Sequence, residues 1–147
     1  MVQYQDLAHL ADGREAVGDE QEAILKTTKS SFEPRESVVL EGAAHESAQG
    51  GRGEILSLND RNPNLVEVSV SAPDSGWLVL ADSWFPGWKA RVDGAETEIL
   101  PANGLLRSIW LPPGQHTVDF SYQPTSVIIG LALSLLGWPV LYGLRRL

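Results

Sequence analysis

Cysteine is missing altogether from the 147 residues, so neither a disulfide framework nor a thiolate metal site is available. Histidine is scarce. His9, His45 and His116 stand far apart and none has a second ligand at metal spacing, so no metal and no cofactor is proposed. Basic residues are also few, 11 Lys and Arg against 19 Asp and Glu, for a formal charge of −8. Two of the 11, Arg145 and Arg146, are the only charges after Asp119, so the rest of the chain is more acidic still. Phosphate neutralisation needs clustered Lys and Arg, which sets nucleic acid aside as a partner. The N-terminus has no basic run and no apolar stretch of the signal-peptide kind. The domain is then either cytosolic or exported by spans upstream of this chain. G-x-S-x-G, H-E-x-x-H and a dinucleotide fingerprint are absent. Gly50-Gly51-Arg52-Gly53 is followed by no GK[ST] and reads as a flexible loop rather than a phosphate cradle.

What is present is organised around Ser83–Gly94. Pro86-Gly87 supplies a fixed φ followed by a residue free to take positive φ, the requirement of a type II turn, and Asp93-Gly94 is a common two-residue hairpin connection. Between them Trp88, Ala90 and Val92 share one face and Lys89 and Arg91 the other, so the segment is a half-buried strand. Further strands are expected at Glu36–Glu41, Glu54–Leu58, Leu65–Ser71, Trp77–Ser83, Glu96–Leu100, Leu105–Leu111 and Gln115–Tyr122. Asn103-Gly104 and Pro112-Pro113-Gly114 add turn signals. Trp77–Ser83 is apolar on both faces until Asp82 and belongs centrally in a sheet. Short strands punctuated this regularly predict an all-β fold, an antiparallel β-sandwich of Ig-like or jelly-roll-like type.

Ahead of the strands, residues 1–18 read as weakly structured with one short strand near Arg14–Val17. Asp19 as a cap, Glu20 and Glu22 in a first turn and Lys26 and Lys29 toward the end predict a short helix. Phe32-Glu33-Pro34 closes it, because a residue before proline is pushed out of the helical region. At the other end, Val127–Leu144 is free of charge and spans about 27 Å as a helix, close to the hydrocarbon thickness of a bilayer. Arg145 and Arg146 follow at once and place the C-terminus in the cytoplasm by the positive-inside rule, with the β domain outside. The expected division is an N-terminal segment over 1–35, a sandwich over 36–124 and a transmembrane helix over 125–147.

The run Leu78–Gly94, followed by Ile99-Leu100-Pro101-Ala102-Asn103-Gly104, Pro113-Gly114-Gln115-His116-Thr117-Val118 and Tyr122-Gln123-Pro124, resembles the C-terminal end of the bacterial YfhO-like membrane proteins. Four blocks match in order and spacing. The resemblance implies a large multi-spanning protein with a glycosyltransferase core fed by a polyprenyl-phosphate sugar donor, of which this chain looks like the last extracytoplasmic domain and final membrane helix. The acidic catalytic residues that the family is expected to carry lie in early loops, which no stretch here resembles. No catalytic residue is carried over.

Among the residues themselves, aromatic faces beside a turn can stack on sugar rings while polar neighbours supply orientation. Trp84, Phe85, Lys89, Arg91 and Asn103 are therefore the candidate contacts for a glycan or a partner, with Trp88 assigned to the core by its parity with Ala90 and Val92. Asp82, Asp93 and Asp119 form a hydrolytic site only if the fold brings them together at carboxylate-pair spacing. Turn chemistry explains Asp93 and strand alternation explains Asp119 without such a site. His116 reads as a packing residue. In the final helix Gly130, Ser134 and Gly137 fall at i, i+4 and i+7, a small-residue face suited to docking on upstream spans of the same protein or on a second copy. The expected role is non-catalytic, in a truncated or split piece of a cell-surface sugar-transfer protein. The alternatives are a free-standing membrane-anchored carbohydrate-binding or adhesion module and a tail-anchored cytosolic interaction domain.

Overall fold

The computed structural model describes residues 8–11, 13–17, 20–33, 37–41, 53–124, 126, 127 and 129–135. Eleven strands and a helix follow one another as β1 (Ala8–Ala11), β2 (Gly13–Val17), α1 (Glu20–Thr27), β3 (Ser37–Glu41), β4 (Glu54–Asn62), β5 (Leu65–Ala72), β6 (Gly76–Ser83), β7 (Trp88–Val92), β8 (Ala95–Thr97), β9 (Leu100–Ala102), β10 (Leu106–Leu111) and β11 (Gly114–Tyr122). They form a six-stranded sheet in the order β1-β6-β10-β9-β3-β2 and a five-stranded sheet in the order β4-β5-β11-β7-β8. Val66, Val68, Val70, Val118 and Phe120 of the five-stranded sheet share one buried cluster with Leu10, Leu78, Leu80, Ile109 and Leu111 of the six-stranded sheet. That common core is what makes the two sheets a sandwich.

Strand β6 shows why its sequence is apolar on both faces. Leu78 and Leu80 enter the shared core, while Trp77 and Val79 join a second buried layer with Val38, Leu40, Leu100 and Ala102 on the other face of the six-stranded sheet. Trp77 meets Trp110 edge-on there, with ring centroids 5.3 Å apart. The central placement expected for this strand holds, since β6 lies between β1 and β10.

Three features depart from the expected architecture. Residues 8–11, expected to be weakly structured, form β1 against β6 and bury Ala8, Leu10 and Ala11. Four residues with two alanines carry almost no alternation, and pairing with an established strand decides their conformation. The expected strand Glu96–Leu100 is broken in two: β8 closes the five-stranded sheet and β9 belongs to the six-stranded one. The chain switches sheets across Glu98 and Ile99: Ile99 packs against the shared core at the crossing and Leu100 enters the outer layer. Finally, β2 and β3 run parallel, because α1 carries the chain back to the end where β2 began, which a hairpin cannot do. The short helix itself stands where the sequence puts it, with Ala23 buried against Val39 and Phe32.

After Tyr122 the chain turns helical over 126–127 and 129–135. Among the described residues no helix is long and apolar enough to cross a membrane. Residues 136–147, the rest of the expected span with Gly137, Arg145 and Arg146, lie outside the described residues, as does most of the loop expected over 43–53.

Candidate functional site

The Pro86–Gly87 turn is built as its residues require. Gly87 has φ 111°, and the Trp88 amide donates to the Phe85 carbonyl (3.3 Å) across the turn. A Cβ at Gly87 would lie 3.1 Å from the Tyr122 ring and 3.2 Å from the Gln123 carbonyl oxygen. The position therefore needs glycine twice over, for its backbone angle and for its close neighbours. Two further hydrogen bonds hold the loop: Gln123 N–H donates to the Gly87 carbonyl (2.8 Å) and Trp84 N–H to the Leu105 carbonyl (2.8 Å).

Beside this turn lies a cavity of about 230 Å³. Trp84, Phe85 and Trp88 supply its aromatic wall, Ile99 its apolar side, and Lys89, Glu96 and Thr97 its polar groups. Phe85 is 58% exposed, so its face is open to a ligand. Of the five residues singled out from sequence, the fold thus brings Trp84, Phe85 and Lys89 together. Arg91 stands one step away, 3.8 Å from the Glu96 carboxylate across the β7–β8 pair. Asn103 does not line the cavity: it sits at φ 53°, its side-chain oxygen accepts from the Val39 amide (2.9 Å) and its backbone N–H donates to the Val39 carbonyl (2.7 Å), clamping β3. Glu96 and Thr97 are not legible as site residues in the sequence, because they become neighbours of the turn only through the β7–β8 hairpin.

Trp88 packs against the shared core as its parity predicts, and its ring carries the Arg107 guanidinium at 3.6 Å. Tyr122 lies against the same ring, centroids 5.2 Å apart. Arg107 is fully buried and ion-paired with Asp82. Burial pushes its pKa down and the Asp82 carboxylate pulls it back. Among the described residues its Nε and Nη1 meet no hydrogen-bond acceptor; the Trp88 and Phe120 rings face the guanidinium instead. The sequence holds a signal for Arg107 that its charge masks: it shares parity with Ile109 and Leu111, on the buried face of β10.

The three aspartates do not converge. Asp82 is taken by Arg107 on the six-stranded sheet. Asp93, at φ 51° in its hairpin, accepts from His116 Nδ1 (2.7 Å) and from the Thr117 amide (2.9 Å) at the far end of β7. Asp119 stands opposite Arg91 in register. His116 spends its other nitrogen on the Pro112 carbonyl (3.0 Å), in keeping with a packing role. Among the described residues no cluster of His, Asp or Glu is arranged to hold a metal. On the C-terminal helix Gly130 and Ser134 are both exposed, and Gly137, the third member of the expected stripe, lies outside the described residues.

Residues 48–134 match the family model described as bacterial membrane protein YfhO. The match covers more than half of the chain, from ahead of β4 into the C-terminal helix. No curated protein and no solved structure matches.

Proposed function

Because the chain belongs to the YfhO family of bacterial membrane proteins, we infer that it serves as the extracytoplasmic, non-catalytic β domain of such a protein, tethered by a C-terminal membrane helix that begins near residue 126. In this reading the aromatic cavity at the Pro86–Gly87 turn holds or orients a glycan beside the membrane part that transfers sugar. The observation that carries it is the cavity: Trp84 and Phe85 offer stacking faces within reach of Lys89, Glu96 and Thr97, the pairing of apolar wall and sparse polar groups that sugar recognition uses. Support for the tether comes from Val127, Ile129, Leu131, Leu133 and Leu135, which are all more than half exposed on the described part of the helix. A helix apolar all round belongs in lipid or against other helices.

The glycan reading is tested by titrating the chain in detergent with glucose, N-acetylglucosamine and short oligosaccharides while following tryptophan fluorescence. Saturable binding is expected, weakened about five-fold in Trp84→Ala, the equivalent of about 1 kcal/mol of stacking, and unchanged in Asp74→Ala at the opposite end. No saturable response to any of the sugars would overturn it. Orientation is tested separately with single cysteines at Ser47 and after Leu147 and an impermeant thiol reagent on intact cells, upstream spans included. Labelling at Ser47 alone is expected; labelling at the C-terminus alone would reverse the topology.

A further inference from the structure

The strand registers divide the loops between two ends of the sandwich. Tyr122 lies opposite Trp88, Ser121 opposite Leu65, and Leu106 opposite both Ser83 and Ala102. The loops at residues 63–64, 84–87 and 103–105 therefore gather where β11 runs into the apolar helix. Backbone hydrogen bonds join them: Tyr122 N–H to the Asn64 carbonyl (3.0 Å), Gln123 N–H to the Gly87 carbonyl and Trp84 N–H to the Leu105 carbonyl. This end exposes Leu65 (37%), Phe85 (58%) and Leu105 (63%). Ile24 of α1, also exposed, abuts the same group, since a Cβ on Gly104 would come within 2.9 Å of it.

The opposite end has different chemistry. Gly114 pairs with Ala72, Leu111 with Gly76 and Val118 with Val92, so the loops there are Pro73-Asp74-Ser75, Asp93-Gly94 and Pro112-Pro113. None of them exposes a large apolar side chain. Scattered exposed leucines are ordinary on any protein surface. Leu25 on α1 and Leu56 within β4 are exposed too, but of the loops at the two ends only those beside the departing apolar helix present large apolar side chains.

We propose that Leu65, Phe85 and Leu105 form a platform that rests in the interfacial layer of the bilayer, with the Pro86–Gly87 turn hydrogen-bonded to the root of the helix so that domain and helix meet the membrane as one rigid unit. Aromatic and apolar side chains at the headgroup level are favourable there. The platform would fix the tilt of the sandwich and hold the aromatic cavity, which shares Phe85, at headgroup height. The inference rests on the membrane-helix reading given above, and the experiment separates the two.

With no native cysteine, Phe85→Cys, Leu105→Cys, Leu131→Cys and Asp74→Cys each give a single attachment point for an environment-sensitive fluorophore in the full chain. The labelled chains are reconstituted in vesicles of phosphatidylcholine and phosphatidylglycerol carrying a nitroxide either shallow or deep in the acyl chain. The labels at positions 85 and 105 are expected to shift to the blue and to be quenched best by the shallow nitroxide, the label at 131 by the deep one, and the label at 74 only by aqueous iodide. A lipid-embedded label at 131 with water-exposed labels at 85 and 105 would overturn the platform alone. A water-exposed label at 131 would overturn the membrane-helix reading and the platform with it. Labels at 85 and 105 shielded from iodide yet untouched by either nitroxide would also overturn it, assigning this end to a protein partner.

Discussion

The helix end of the sandwich exposes Leu65, Phe85 and Leu105, and the charge that braces it is hidden: Arg107, fully buried, lies on the Trp88 ring and reaches Asp82. At the far end the loops expose prolines and carboxylates, and the brace is at the surface: Asp93 is half-exposed and bonded to His116 and the Thr117 amide. Both braces tie neighbouring segments together with a cation or imidazole and a carboxylate. Their surroundings make them respond to different things. The buried guanidinium fills core volume over the Trp88 and Phe120 rings of the facing sheet, so what it contributes is packing as much as charge. The surface pair contributes little bulk, and its strength varies with protonation and salt.

The largest difference between the ends is expected at their glycines. Gly87 and Gly94 both hold positive φ, 111° and 84°, so valine is strained at either. Only Gly87 is also crowded, by Tyr122, Gln123 and Pro124, whereas a Cβ at Gly94 would meet nothing within 4 Å. Gly94→Val should therefore cost about 2 kcal/mol of backbone strain. Gly87→Val should cost about 4 kcal/mol, the same strain plus about 2 kcal/mol of overpacking. Denaturant melts of the two variants measure both. Equal losses would mean that the turn yields where it touches the helix root, and the helix end would not be rigid.

Next in size is the buried brace. Arg107→Ala removes a long side chain from a fully buried site and is expected to cost about 3 kcal/mol, within the range for large core truncations. Arg107→Met keeps most of the stem and discards a charge that burial disfavours, so its stability should stay within about 1 kcal/mol of the parent. If methionine proved as costly as alanine in the same melts, the charge itself and not the packing would be holding the sheets at this end.

Much of this contrast was legible before the fold was known, and the failures have definite causes. The turns at Pro86-Gly87, Asp93-Gly94 and Asn103-Gly104 announce themselves by residue type, because few residues tolerate positive φ, and all three carry it. The alternation of Val66, Val68 and Val70 against Glu67 and Ser69 declares a strand with one wet face, as found. What a linear pattern does not hold is which loops share an end. That comes from register, which brings Trp84, Phe85 and Lys89 to one cavity and leaves Asn103 clamping Val39. The crossing at Glu98–Ile99 is hidden because Ile99 and Leu100 serve different core layers while reading as part of one continuous strand. Arg107 was hidden by its charge, which suggests a wet face, although its parity with Ile109 pointed inward.

The smallest expected effect belongs to the surface brace at the far end, and it is the one that depends on pH. The hydrogen bond from His116, with the Thr117 amide second, holds the Asp93 carboxyl below its ordinary pKa. A carboxyl with a lower pKa in the folded state than in the unfolded chain stabilises the fold while ionised. That contribution is complete above the unfolded value, near 4, and is lost as the pH falls through the folded value. Asp93→Asn removes the titration yet keeps the turn, since asparagine accepts φ 51° and its side-chain oxygen still takes the Thr117 amide. The parent should therefore melt slightly above Asp93→Asn at about pH 6, and the gap should shrink as acidification carries the pH below the unfolded value and through the lowered folded one. A gap for Asp93→Asn that stayed constant on acidification would show that the far end, like the helix end, is held by shape and not by ionisation.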